Sequence, residues 1–306
     1  MAARPRTLFF GSGSVALPAL ARLLDADLVE VDSVVTAPPR PAGRKGVLTP
    51  TPLAEAAVAQ GIPVRTPVSL RRDEVLAELR AVGAELIVLV DYGRIIPAAV
   101  LGMPRHGALN IHPSLLPRHR GAAPVQGAIL AADETTGVTL MCMDEGLDTG
   151  PIVAQVEMPL DGSEVAPELE ERLAQMGADL LIEHLPAWLD GSLTARPQSE
   201  EGATLTRPLR REDGRLDPER PALELERQVR AYQPWPGSFL EIDGARVKVW
   251  RSGVLAQSLA VVPGEIILAE EAIALGTVDG VLRLDEVQPA GKRRMSGADY
   301  RRGRRL

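Results

Sequence analysis

The sequence predicts an α/β protein in two parts: a doubly wound, Rossmann-like domain, then a small antiparallel β-barrel or sandwich. Three observations carry this expectation. Apolar runs alternate with helix-periodic segments up to about residue 190, the rhythm of βαβ units and a parallel sheet. Residues 191–208 (GSLTARPQSEEGATLTRP) are polar and turn-rich and read as a linker. Beyond them come four to six brief alternating stretches punctuated by Asp243-Gly244 and Asp279-Gly280, the pattern of antiparallel hairpins.

In chain order, residues 7–10 (TLFF), the turn GSGS and the leucine-spaced segment after it read as strand, tight turn and helix. Gly11 and Gly13 fit part of a dinucleotide-binding fingerprint, but Ala16 stands where its third glycine belongs, so the glycines also read as a plain sharp turn. A second strand is expected at 31–36. After it, 37–52 holds five prolines, two glycines and the cations Arg40, Arg44 and Lys45. This stretch reads as an exposed loop without regular structure, serving either as a substrate contact or as a solvated flap. Helices are expected at 52–60 and 71–82 and a short strand near 62–64. Residues 85–90 (ELIVLV) are nearly all apolar, as in a strand covered on both faces. A last helix of the first part is expected at 180–189.

Composition narrows the function class. With 45% hydrophobic and 25% charged residues the chain is that of a water-soluble globular protein, although aromatics make up only 3%. Cys142 is the only cysteine, so no intrachain disulfide and no cysteine-based zinc site can form. The opening apolar run is too short for a signal peptide or a membrane span, and a cytoplasmic location is expected. The net charge of -7 is unevenly spread: residues 1–190 hold 15 Lys+Arg against 24 Asp+Glu, and 191–306 hold 19 against 17. The last fifteen residues carry seven basic side chains, among them Lys292, Arg293 and Arg294. That cluster reads either as a frayed, solvated tail or as a patch for a phosphate backbone.

The chemistry concentrates in 108–150. Asn110 and His112 alternate within LNIHP, so a strand would project both from one face. Pro113 ends that strand, and Ser114, Leu115, Leu116 and Pro117 form a stiff turn able to wall a pocket. Asp148 lies 36 residues after His112 in the glycine-rich loop DEGLDTG. A carboxylate beside an imidazole can orient it and raise its pKa, as proton transfer demands. From the residues alone, the trio reads either as a catalytic set or as a hydrogen-bonded loop. The four histidines lack the spacing of a zinc-protease motif, so no metal is expected.

The string NIHPSLLPRHRGAAP followed by DETTGVTLMCMDEGLDTG resembles the signature of the folate-dependent formyltransferases. In that family an Asn, a His and an Asp act on the formyl group of 10-formyltetrahydrofolate, and the matching positions here are Asn110, His112 and Asp148. Three further stretches, RPAGRKGVLTPTPLAEAA, EDGRLDPERPALELERQVRAYQPWPGSF with VKVW, and QPAGKRRMSGADY, resemble the branch that formylates methionyl-tRNA. The likeness covers essentially residues 6–302.

The resemblance implies a catalytic domain at 1–190, a linker at 191–208 and an oligonucleotide-binding-like, tRNA-binding barrel at 209–306. It implies that Asn110 and a protonated His112 stabilise charge on the formyl oxygen, while His112 and Asp148 handle the proton lost by the amine. It places the folate against Ser114, Leu115, Leu116, Pro117, Val90, Tyr92 and Asp144, with the roles of Ser12 and Asp91 open. Initiator methionyl-tRNA would meet Arg40, Arg44 and Lys45 of the loop and Lys292, Arg293 and Arg294 of the tail. A monomer is expected. Two readings from other classes compete: a nicotinamide-dependent oxidoreductase built on Gly11 and Gly13, and a non-catalytic RNA-binding protein.

Overall fold

The computed structural model describes residues 4–43, 46–255, 261–269 and 272–303. Arg44 and Lys45 lie outside the described residues. Contacts divide the chain into two compact units. The first comprises the chain up to Pro124 together with Thr135–Met158 and Glu170–Thr206; the second comprises Val125–Glu134, Pro159–Leu169 and everything from Arg207 onward.

The first unit is organised on a seven-stranded sheet of order β10-β9-β7-β6-β1-β2-β5. Its strands and helices up to the middle of the chain are β1 (Arg6–Gly11), α1 (Leu17–Ala26), β2 (Glu30–Val35), β3 (Arg40–Ala42), β4 (Val47–Thr49), α2 (Pro52–Ala59), β5 (Val64–Arg65), α3 (Asp73–Val82), β6 (Leu86–Val90), α4 (Ala98–Leu101) and β7 (Ala108–His112). There follow β8 (Arg120–Gly121), α5 (Pro124–Ala131), which falls in the second unit after its first residue, β9 (Thr135–Cys142), β10 (Ile152–Pro159), α6 (Ala166–Leu189), which enters the first unit at Glu170, and β11 (Leu205–Thr206). From β5 to β7 the pairing is parallel, and β9 then joins β7 antiparallel. Strand β6 is buried along its whole length, as its unbroken apolar run requires. Leu8, Phe10, Leu79, Ile87 and Val100 anchor one core of this sheet.

The glycines after β1 are packing devices. A Cβ on Gly11 would sit 2.6 Å from the Val90 carbonyl oxygen, and one on Gly13 would sit 2.2 Å from Asp91 Oδ2. Both gaps are shorter than carbon–oxygen contact permits, so the close approach of β1 to the end of β6 accounts for Gly11, and the Asp91 carboxylate folded against the turn accounts for Gly13. Helix α2 begins at Pro52, and Thr51 Oγ1 accepts from the Ala54 amide at 3.1 Å, a proline start with a threonine N-cap.

Three expectations are corrected. The stretch 37–52 is not without regular structure: β3 and β4 form an antiparallel hairpin, Arg40 opposite Thr49 and Ala42 opposite Val47. Pro41 is tolerated because a two-stranded ribbon has only edge positions, and Gly43 and Gly46 adopt positive φ at the turn. The helix expected at 180–189 is the last part of α6, which runs 24 residues from Ala166. Gly177 interrupts its apolar spacing for a reason: a Cβ there would lie 2.4 Å from Ile111 Cγ2, so α6 presses closely on the back of β7. Finally, the polar stretch 191–208 is not a free tether. Arg196 bridges Ile152, and β11 pairs in parallel with β8.

The second unit contains α7 (Ala222–Ala231), β12 (Ser238–Ile242), β13 (Ala245–Leu255), β14 (Ile266–Ala269), β15 (Ala272–Gly276), β16 (Val281–Pro289), β17 (Met295–Ser296) and α8 (Gly297–Arg302). Its sheet runs β12-β13-β16-β15-β14, with β17 added to β16, and all pairings are antiparallel. The path among the described strands does not close on itself, so this is a half-barrel. Asp243 and Gly244, both at positive φ, make the two-residue turn between β12 and β13. The core joins Val247, Val249, Leu282, Leu284 and Val287 of the sheet to Leu225 and Val229 of α7 and Tyr300 of α8. The basic tail is therefore folded as far as Gly303: Tyr300 is buried, while Lys292, Arg293 and Arg294 are exposed.

Candidate active site

Strand β7 carries the site. Its residues alternate, so Ile111 faces α6 while Asn110 and His112 turn to the other side. Both polar side chains are nearly sealed, Asn110 at 5% and His112 at 4% exposure. Asn110 lies between Leu89 of β6 and Met141 of β9 in the sheet.

His112 is held from two sides. Its Nε2 lies 3.0 Å from the carbonyl oxygen of His119, and its Nδ1 lies 3.8 Å from Asp148 Oδ2. A carbonyl can only accept, so Nε2 carries the proton and the neutral ring leaves Nδ1 bare towards Asp148. At 3.8 Å that pair is beyond hydrogen-bonding range and has ion-pair geometry. Burial pushes the His112 pKa below its ordinary 6.5, with Asp148 and the His119 carbonyl pulling it up and the His119 ring adding a small push down. Asp148 thus acts in the expected direction and raises the pKa, while desolvation of the sealed imidazolium outweighs that one carboxylate. A shift in that direction favours the neutral ring at rest.

Asp148 sits at positive φ in the loop between β9 and β10, and its Oδ2 accepts from the Gly121 amide at 2.7 Å. The loop is fastened by Asp144, whose carboxylate accepts from the Gly146 amide at 3.0 Å and from Thr149 Oγ1 at 2.9 Å. Asp144 thus holds the loop's shape. Its glycines make room for close neighbours: a Cβ at 150 would fall 1.9 Å from the Cys142 carbonyl oxygen, and one at 146 would fall 1.9 Å from Thr149 Oγ1, the hydroxyl that bonds Asp144.

The turn after β7 is built inward. Ser114 is fully buried and donates to the Arg118 carbonyl at 2.7 Å, so its hydroxyl is already used. The Thr139 hydroxyl donates to the Ser114 carbonyl and accepts from the Leu116 amide. Leu116 is buried and is joined to Pro117 by a cis peptide bond; Leu115 and Pro117 keep partial exposure. At the end of β6, Val90 and Tyr92 are buried, and the Tyr92 ring meets Phe10 edge-on at 5.2 Å. The Tyr92 hydroxyl is sealed without a hydrogen-bond partner. Asp91 as a residue is exposed, but its carboxyl turns back onto Gly13. The resulting desolvation raises its pKa, and the Gly13 amide it accepts from opposes that rise. Ser12 donates to the Tyr92 carbonyl at 3.3 Å and accepts from the Ala37 amide at 3.4 Å, a tie between loops.

Sequence reasoning missed the strap that backs this site. Thr204 Oγ1 accepts from the His119 amide at 2.8 Å, and Thr206 Oγ1 donates to the Arg120 carbonyl at 3.0 Å. Gln198 donates to the carbonyls of Asp148 and Gly150 at 2.8 and 2.7 Å. Buried Arg120 reaches Gln198 Oε1 and pairs bidentately with Glu200. The alternation of Thr204 and Thr206 was the one available signal. Gly121 fits only as glycine, because its φ is 103° and a Cβ would lie 2.1 Å from the Thr206 carbonyl oxygen.

Of the cations singled out for RNA, Arg40 is exposed on β3 of the first unit, while Lys292, Arg293 and Arg294 belong to the second. The Arg294 guanidinium stacks 3.4 Å above the Trp250 ring, and Lys248 Nζ lies 5.2 Å from the same ring. Among the described residues, no group of three or more His, Cys, Asp or Glu side chains is arranged to hold a metal ion, and no helix is long and apolar enough to cross a membrane. Burial pushes the Cys142 thiol up to about 11.

Comparison with known proteins places this geometry. Residues 5–185 match the formyl transferase family and residues 208–305 match the formyl transferase C-terminal domain. A methionyl-tRNA formyltransferase of Myxococcus xanthus (strain DK1622) is 42% identical over 304 residues, spanning 99% of this chain and 96% of that protein. One of Halorhodospira halophila (strain DSM 244 / SL1) is 44% identical over 302 residues, spanning 98% and 97%. Among solved structures, the sugar 3N-formyltransferase WlaRD shares the fold with a TM-score of 0.67 at 18% identity, covering 96% of this chain and 100% of that one. HypX from Aquifex aeolicus in complex with tetrahydrofolic acid gives a TM-score of 0.66 at 21% identity, covering 97% of this chain and 47% of that one. Two family matches that together span both units, and relatives above 40% identity from end to end, establish that the chain belongs to the methionyl-tRNA formyltransferase family.

Proposed function

We infer that this protein transfers the formyl group of 10-formyltetrahydrofolate to the α-amino group of methionine on initiator tRNA, for translation initiation. The observation that carries the chemistry is the fixed tautomer of His112: Nε2–H is committed to the His119 carbonyl and the bare Nδ1 faces Asp148. The reaction removes a proton from the attacking amine and returns one to N10 of the donor. His112 Nδ1 takes the first proton as general base, and the imidazolium so formed is stabilised by Asp148 across the 3.8 Å gap. His112 then gives that proton to the leaving nitrogen. Acceptance of the proton precedes its donation, because burial keeps the resting ring neutral. Asn110 offers its amide N–H to the oxygen that gains charge during attack.

The formyl donor supplies an activated one-carbon carbonyl. The residues suit such a donor. Val90 and Tyr92 stand at the carboxyl end of β6 beside the strand of Asn110, where open α/β sheets bind ligands. The unpartnered Tyr92 hydroxyl is the kind of atom a bound heterocycle satisfies. Ser114 and Leu116 shape this wall from within, while Leu115 and Pro117 offer surface. Asp144 acts on the donor through the loop it staples.

The tRNA engages Arg40, Arg44 and Lys45 through residues 38–51, and Lys292, Arg293 and Arg294 through the second unit. Lys and Arg suit phosphate contacts, and the cation–aromatic stack on Trp250 suits the same partner. In this reading 1–190 is the catalytic domain, 191–208 the connection and 209–306 the tRNA-binding domain, acting as a cytoplasmic monomer without metal. Formylation of methionyl-tRNA by the purified protein, with His112→Ala as control, tests it. An unimpaired His112→Ala variant would instead support the non-catalytic RNA-binding class.

A further inference from the structure

We propose that Gln198 is a positioning residue for formyl transfer, clamping the loop that carries Asp148 by the carbonyls on either side of Thr149. This rests on the reading that Asp148 supports His112. Asp148 occupies the left-handed region, where a non-glycine residue is held only by its surroundings. Asp144 staples the near half of the loop, from Gly146 to Thr149. The backbone of the far half is gripped by a side-chain amide: Gln198 Nε2 donates to the Asp148 carbonyl at 2.8 Å and to the Gly150 carbonyl at 2.7 Å.

That amide is itself fixed. Arg120 Nε donates to Gln198 Oε1 at 3.1 Å, which settles which end of the amide faces the loop, and the same guanidinium is held bidentately by Glu200. The peptide after Arg120 completes the circuit, because the Gly121 amide donates to Asp148 Oδ2 at 2.7 Å. Gln198 of the strap and Gly121 of β8 thus grip the backbone and the carboxylate of Asp148. Gln198 touches no reacting atom in this arrangement, so its effect passes through the aim of Asp148 at His112 Nδ1.

The test uses the full chain, with Gln198→Met, which keeps length and loses both donors, and Gln198→Glu, which keeps the acceptor for Arg120 and also loses both donors. Each is made in the natural chain and in Asp148→Asn. Both variants should lower kcat roughly ten- to a hundredfold, the scale of a misplacement near 1 Å, while KM for methionyl-tRNA and for the formyl donor stays within about twofold. In Asp148→Asn the same changes should cost little more, since the group they aim is already gone. Unchanged kcat in a folded Gln198 variant, or a loss that multiplies fully with that of Asp148→Asn, would overturn the proposal. Wild-type turnover by Asp148→Asn alone would instead overturn the reading beneath it.

Discussion

His112 Nε2 lies 3.0 Å from the carbonyl oxygen of His119, and this contact decides that Nδ1 is the nitrogen that titrates. His119 is itself at positive φ, with its amide held by Thr204 at 2.8 Å. A backbone turn, rather than a carboxylate, therefore sets the tautomer, and Asp148 is left to meet the charge when it forms.

The pH dependence follows from that arrangement. Burial lowers the His112 pKa below 6.5, so the ring remains a competent base as pH falls through that value. The acid limb of kcat/KM should lie below pH 6.5. Asp148→Asn removes an upward pull on the same ring and should move the limb lower still, alongside its loss of rate. A limb above 6.5 in the natural chain would contradict the buried, neutral base. The same shift bears on stability: between the two pKa values the unfolded chain binds the extra proton, so unfolding should become easier as pH drops below about 6.5.

Asn110→Ala and Asp148→Asn should lower turnover by two or more orders of magnitude, on the general scale of lost oxyanion or acid–base groups, roughly 10²–10⁴-fold. Binding of methionyl-tRNA should change little. Arg44→Ala should do the reverse, raising KM for the tRNA with kcat nearly kept. Steady-state kinetics and filter binding separate these outcomes, and equal loss of binding in all three variants would refute the division of labour.

Gly121→Ala places a methyl group 2.1 Å from the Thr206 carbonyl oxygen at a backbone φ of 103°. It should cost about 1–3 kcal/mol from backbone strain alone, visible as a lower melting temperature, and should reduce turnover because the Gly121 amide holds Asp148. Calorimetry together with kinetics on one preparation checks both effects.

Rising salt should raise KM for the tRNA more steeply than KM for the formyl donor, since phosphate contacts by Lys and Arg release counterions. A tRNA KM that ignores salt would tell against Arg40 and the 292–294 cluster as contacts.

Much of this was legible in the letters. The run ELIVLV gives a doubly buried strand, and LNIHP puts an amide and an imidazole on one face, because periodicity alone fixes which side chains share a side. Other features left no such trace. Gln198 works by gripping two backbone carbonyls, an interaction with no spacing signature, in a segment whose polarity reads as linker. The hairpin at 40–49 hides behind its prolines, which a two-stranded ribbon tolerates. Most of α6 hides behind Gly177, a residue chosen for close approach to Ile111 rather than for helix propensity. The net direction of the His112 pKa left no trace in the letters, because burial of a side chain depends on what packs over it, which neighbours in sequence do not reveal.

The most direct test supplies the purified protein with 10-formyltetrahydrofolate and, in separate reactions, methionyl initiator tRNA, glycinamide ribonucleotide or an amino-sugar nucleotide, and measures formylated product. Formylation of the methionyl-tRNA, with the two small acceptors left unmodified, is the predicted result; formylation of a small acceptor and not of the tRNA would contradict it.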